Sequence, residues 1–545
     1  MKGSVRALFV AAAGWLSSAA AAPSDPIVDS PAGSVQGETK GDLHVFKGLP
    51  YALPPVGMRR WKPPEPVPVW QGVRAATTFG PACYQPPNDP SSIYAWNAMP
   101  MSEDCLSLNI WTPRKAHKAP VLVWIHGGAL STGWSGDTLY DGTALAERGI
   151  VVVSINYRLG VLGYLAHPGL SAESPEGISG NYGLLDQIAA LRWVKNNIAA
   201  FGGNASDVTI AGESAGGLSV MYLMASPSAR GLFSKAIAQS AYMISTPELR
   251  EARFGSAAAE DIGAALAHKL GASGVAELRA MDPGDLTVAA VHAGYAPFGT
   301  VDGRILPHQL VDVFDRGEQA RVPLLVGFNS GEIRSLRMLT PQVPADAPTY
   351  VAQIRDRYAD LADAFLRLYP PTDLQESVIE AARDALYGWT AERLAIKQTA
   401  VGEDAFLYLF DHGYPAADTA GLHAFHASEL PYVFGTAEGT PRLWPKVPAV
   451  QAEAQLSAAM TSYWAAFARD GVPHDARQPR WLPYSSNRSY MTFADSPTPA
   501  AHLFPGMYEF NEQVICRRRA EGSVAWNWNV GLLSPPLPAQ VSGCR

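Results

Sequence analysis

The chain is poor in cysteine: it has four in 545 residues, with no C-x-x-C pair, so no structural zinc site is expected. It also lacks a basic excess. Lys and Arg total 42 against 50 Asp and Glu, a formal charge of −8, which gives no reason to expect nucleic acid or an anionic membrane surface as a partner. There is no internal repeat, heptad run or low-complexity block. No nucleotide-binding loop and no ligand set for a catalytic metal stand out, so no cofactor is expected. Beyond the N-terminus no apolar run is long enough to span a bilayer, so no membrane anchor is expected either. What is there is an ordinary globular composition, 47% hydrophobic and 17% charged, with ample material for a large core.

Lys2 and Arg6 introduce a short apolar core from Ala7 to Leu16, followed by small residues from Ser17 to Ala22. About ten apolar residues are too few for a spanning helix. The pattern is that of a cleaved secretory signal over residues 1–22, which predicts a secreted or periplasmic protein. In an exported chain the even cysteine count suggests two disulfides. Sequence order favours Cys83–Cys105 and Cys516–Cys544, three pairings being possible.

Strands and helices alternate. Val121–Ile125, Ile150–Ile155, Val208–Ala211, Lys235–Gln239, Val322–Val326 and Phe406–Phe410 read as buried strands. Between the second and third, Leu184, Leu185, Ile188, Leu191, Val194 and Ile198 recur at near-helical spacing until Gly202 and Gly203. Continuous apolar strands separated by helices predict an α/β fold with a mostly parallel central sheet flanked by helices. No linker appears, so residues 23–545 read as one large domain.

Gly212-Glu213-Ser214-Ala215-Gly216 fits G-x-S-x-G between a strand and a helix. Such a turn is tight, and glycines remove side chains where strand and helix meet. The serine sits strained at the tip with helix N–H groups behind it, a geometry that suits a nucleophile. His126-Gly127-Gly128-Ala129 directly follows another strong strand. The N–H groups of Gly128 and Ala129, with that of Ala215, would make a three-donor oxyanion hole.

These motifs, with "FKGLPYALPPVGMRRWKPP" from Phe46, "SEDCLSLNIWTP" from Ser102, "NYRLGVLGYL" from Asn156 and "FHASELPYVFG" from Phe425, resemble the type-B carboxylesterases of the α/β-hydrolase fold. The style is that of the bacterial para-nitrobenzyl esterases. The resemblance implies a serine, acid, histidine order. The acid falls in a G-x-N-x-x-E-G stretch that points to Glu332, with Ile333 where glycine is common. The histidine falls in H-x-x-E-L-P-Y-V-F-G, which points to His426 with Glu429, Pro431 and Phe434 in register. It also implies the Cys83–Cys105 pairing, and a supporting hydrogen bond near the acid from Ser240. Glu213, beside the nucleophile, is expected either to order water or tune His426, or to be a buried structural carboxylate. His423 and His126 are expected to be structural.

The resemblance further implies hydrolysis of small-molecule carboxylic esters through an acyl-enzyme, in a gorge for which Leu130, Trp134, Tyr242, Tyr295 and Phe298 are candidates. The segment between Cys83 and Cys105 is expected over its mouth, and Arg334 and Arg337 are expected to face solvent. Lipase, amidase or transacylase activity on the same triad is the alternative, and a noncatalytic binding module is disfavoured because all three triad positions are filled.

Overall fold

The computed structural model describes residues 25–96, 99–527 and 530–544; the signal segment lies outside them. An 11-stranded sheet dominates the molecule. Its order is Pro497–Ala501, Ser489–Phe493, Ala405–Phe410, Leu324–Asn329, Lys235–Gln239, Gly203–Glu213, Ala119–Ile125, Val151–Ile155, Ser107–Pro113, Leu43–Pro50, Glu38–Lys40. From Ser489–Phe493 to Val151–Ile155 neighbouring strands are parallel. The outer strands at both ends are antiparallel. A small sheet of Ile27–Ser30, Gly33–Gln36 and Val73–Ala75 stands apart.

Alternation along each central strand fills two cores. Val121, Val123 and Ile125 enter one cluster while Leu122 and Trp124 enter the other; Val151 and Val153 part from Val152 in the same way. Both faces are therefore covered, which is why these strands read as unbroken apolar runs. The expected helix forms as Tyr182–Asn197 and tightens to a 3-10 turn at Ile198–Phe201. Gly202 ends it at φ +84°, a left-handed conformation that glycine adopts without a side-chain penalty. Gly203–Glu213 is longer than the expected Val208–Ala211, and the expected Val322–Val326 lies instead at Leu324–Asn329.

Both disulfides pair as sequence order suggests, Cys83–Cys105 and Cys516–Cys544. No helix among the described residues is long and apolar enough to cross a membrane.

Candidate active site

Three chain segments meet at the C-terminal ends of the central parallel strands, where catalytic loops of open α/β sheets gather. The first is the turn between strand Gly203–Glu213 and helix Ala215–Ala225. Ser214 stands at its tip with φ +57° and ψ −121°, a strained backbone for a residue with a side chain. The flanking glycines are required sterically. A Cβ on Gly216 would lie 2.1 Å from the carbonyl oxygen of Ile125, and one on Gly212 would lie 2.5 Å from the backbone of Gly216. The helix starts at Ala215, so its first N–H groups have no intrahelical acceptor.

The second segment is the turn after Ala119–Ile125. A Cβ on Gly127 would lie 2.8 Å from the Glu213 carbonyl oxygen and 3.1 Å from the Ser214 Cβ, so this backbone rests directly against the Ser214 turn. Gly128 (φ +103°) and Ala129 (φ +54°) both have positive φ, and their N–H groups donate to no described residue. His126 is buried, its Nδ1 lies 2.9 Å from the Gly127 carbonyl oxygen, and burial pulls the imidazole down to about 4. It is neutral scaffolding, as expected.

The third segment joins two loops. Gly331, after strand Leu324–Asn329, bridges to Phe425, and its N–H donates to the Ala424 carbonyl at 2.8 Å. That zip sets Glu332 beside His426. One Glu332 oxygen accepts the Asn329 N–H at 2.9 Å, and the other accepts His426 Nδ1–H in a short bond. Ile333 sits fully buried in the short helix Glu332–Ser335 with ordinary φ; nothing there requires the glycine common at this position.

His426 Nε2 faces Glu213, with Oε1 at 3.1 Å. No hydrogen bond joins Ser214 Oγ to any described residue. Burial alone would lower the His426 imidazole, but Glu213, Glu332 and Glu429 outweigh it and raise it above its ordinary value. Burial raises Glu213, against the pull of His426. Burial likewise raises Glu429 to about 7, although Gln239 donates to it at 2.9 Å and Asn329 at 2.7 Å.

Other expected residues fall out as follows. His423 lies between Asp418 and Asp411, at 2.9 and 3.3 Å, and clasps two loops rather than facing the serine turn. Ser240 lies at the neighbouring strand end, where its N–H donates to the Gly327 carbonyl. Its buried Oγ has no partner among the described residues, so the supporting hydrogen bond implied for it is not made. Arg334 pairs with Glu376 and stays partly exposed. Trp134 donates to the Gly80 carbonyl, and Tyr295 packs in a separate cluster.

Two neighbours of His426 carry no local sequence signal. Tyr387 lies on a single π turn, Asp384–Gly388, with its ring 5.5 Å from the imidazole and 6.1 Å from Tyr242. Tyr94, from the loop between Cys83 and Cys105, donates to the His426 carbonyl at 2.8 Å. Among the described residues no group of three or more His, Cys, Asp or Glu gathers as a metal site.

A model of the carboxylesterase family matches residues 24–510. Fumonisin B1 esterase of Sphingopyxis macrogoltabida is 36% identical over 487 residues, 85% of this chain and 85% of that protein. Para-nitrobenzyl esterase of Bacillus subtilis is 36% identical over 464 residues, 82% of this chain and 90% of its own. A solved para-nitrobenzyl esterase structure superposes with a TM-score of 0.77 at 33% identity, covering 89% of this chain and 99% of that one.

Proposed function

The chain belongs to the carboxylesterase family and is an ester hydrolase, and from that premise we propose that Ser214, His426 and Glu332 are its catalytic triad. The observation that carries this reading is the strained Ser214 turn, packed against the Gly127–Ala129 backbone and flanked by a buried His426–Glu332 pair. His426 Nε2 takes the Ser214 proton as Oγ attacks the ester carbonyl, then returns it to the departing alcohol. Glu332 keeps the Nδ1 proton in place and stabilises the imidazolium that forms. The N–H groups of Gly128, Ala129 and Ala215 receive the oxyanion, each worth about 3 kcal/mol of barrier. Water then attacks the acyl-enzyme by the same proton route in reverse. Glu213, poised at Nε2 in the resting site, tunes the base.

The substrate is a small to medium carboxylic ester; both relatives are named as esterases. The active protein is residues 23–545, exported to the periplasm or medium after removal of residues 1–22. Two disulfides support an oxidising compartment; the mass of the exported N-terminal peptide checks the cleavage. The test of activity is hydrolysis of p-nitrophenyl acetate, butyrate and octanoate by the wild type and Ser214→Ala. Loss of at least about a thousandfold in the variant is expected. Equal rates in both would sink the assignment of Ser214.

A further inference from the structure

We propose that Tyr94 is a positioning residue for the base: the loop closed by Cys83–Cys105 delivers its hydroxyl to the backbone of His426 and so fixes the direction in which the imidazole points. This rests on the triad reading above.

The loop is pinned at its base. Besides the disulfide, the Ala82 N–H donates to the Pro100 carbonyl at 2.9 Å, and the Ser102 N–H donates to Ala82 at 3.0 Å. Near its tip, Ser92 shapes a turn by accepting the Tyr94 N–H on its hydroxyl at 3.1 Å and the Ala95 N–H on its carbonyl at 3.1 Å. That turn carries the Tyr94 side chain across to two elements of the site at once. The hydroxyl lies 2.8 Å from the His426 carbonyl oxygen and 2.7 Å from Ser335 Oγ. A phenol has one proton and a carbonyl has none, so Tyr94 donates to His426 and Ser335 donates to Tyr94. Ser335 closes the short helix that begins at Glu332. One hydroxyl therefore ties the base-bearing loop to the acid-bearing helix.

No other described residue donates to the His426 carbonyl. The Tyr94 ring packs edge-on against Trp444 at 5.8 Å, and Trp444 packs on Phe425, beside His426, at 4.8 Å. The ring is thus held by packing that does not need the hydroxyl. Small errors in the angle of a base carry a large kinetic cost, so the hydroxyl's contribution appears in turnover rather than in substrate capture.

Tyr94→Phe keeps the ring and deletes the bond. On p-nitrophenyl butyrate kcat is expected to fall about ten- to a hundredfold, with KM within about twofold and the melting temperature unchanged. Inactivation of Ser214 by a fluorophosphonate slows in step. The Cys83→Ala/Cys105→Ala double variant loses kcat in the same direction, and adding Tyr94→Phe to it costs far less than in the wild type, because the hydroxyl is already mispositioned. If Tyr94→Phe retains wild-type kcat and labelling rate while Ser214→Ala is inactive, the proposal is overturned and the triad stands. Activity surviving in Ser214→Ala would overturn the triad and the proposal with it.

Discussion

His426 has a carboxylate at each ring nitrogen, Glu332 at Nδ1 and Glu213 at Nε2, with Glu429 buried nearby. All three favour the imidazolium and hold the group above its ordinary value of about 6.5. A base must be neutral to work, so kcat/KM should climb with pH through a midpoint above 6.5. Glu213→Gln removes the charge at Nε2, so the midpoint should move down and activity should persist at lower pH. A pH–rate profile checks both, and an unmoved midpoint would mean that Glu213 does not set the base. The G-x-S-x-G turn pointed to Ser214 because its tight backbone admits only certain residues, whereas Glu332 and His426 were singled out by the resemblance to the family's acid and histidine motifs. The contact between Glu213 and Nε2 was open to two readings in the sequence. Which atom an adjacent carboxylate faces depends on the distant loop that brings in His426.

At the scale of elements, the Ser214 turn, proposed to carry the nucleophile, has strand Ala119–Ile125 against it with no room to spare. Gly216→Ala places a methyl 2.1 Å from the Ile125 carbonyl oxygen, and backbone cannot rotate aside as a side chain can. The variant is expected to lose activity about as completely as Ser214→Ala. Its melting temperature should fall by several degrees, whereas Ser214→Ala should melt near the wild type; a thermal melt beside the activity assay separates the two. The central strands were legible because burial on both faces demands unbroken apolar runs. The π turn at Asp384–Gly388 was not legible. Its extra residue per turn leaves no periodic mark in five residues, yet it aims Tyr387 at the imidazole, and π turns recur at functional sites. Tyr94 was hidden for another reason, since its partner lies 332 positions away in the chain.

Across the whole molecule, buried charge joins segments as well as apolar packing does. Arg158 and Asp186 meet through two bonds of 2.7 Å, both side chains nearly inaccessible. Asp186→Asn leaves the guanidinium buried without its counter-charge and is expected to cost about 3–5 kcal/mol in denaturant unfolding; a loss under about 1 kcal/mol would show that water reaches the site. The sheet and its covered faces followed from pattern, whereas sequence order favoured the disulfide pairing among three possibilities and the family resemblance implied Cys83–Cys105. The outer antiparallel strands did not, because short edge strands such as Glu38–Lys40 carry too few residues for a period to register. The fold brings Ser214, Glu332 and His426 to one end of the sheet. The decisive measurement is mass spectrometry of the protein after reaction with a fluorophosphonate. A single adduct on the peptide containing Ser214 is expected, absent in Ser214→Ala and formed far more slowly in His426→Ala. Equal labelling of the wild type and His426→Ala, or an adduct on any other serine, would contradict the triad.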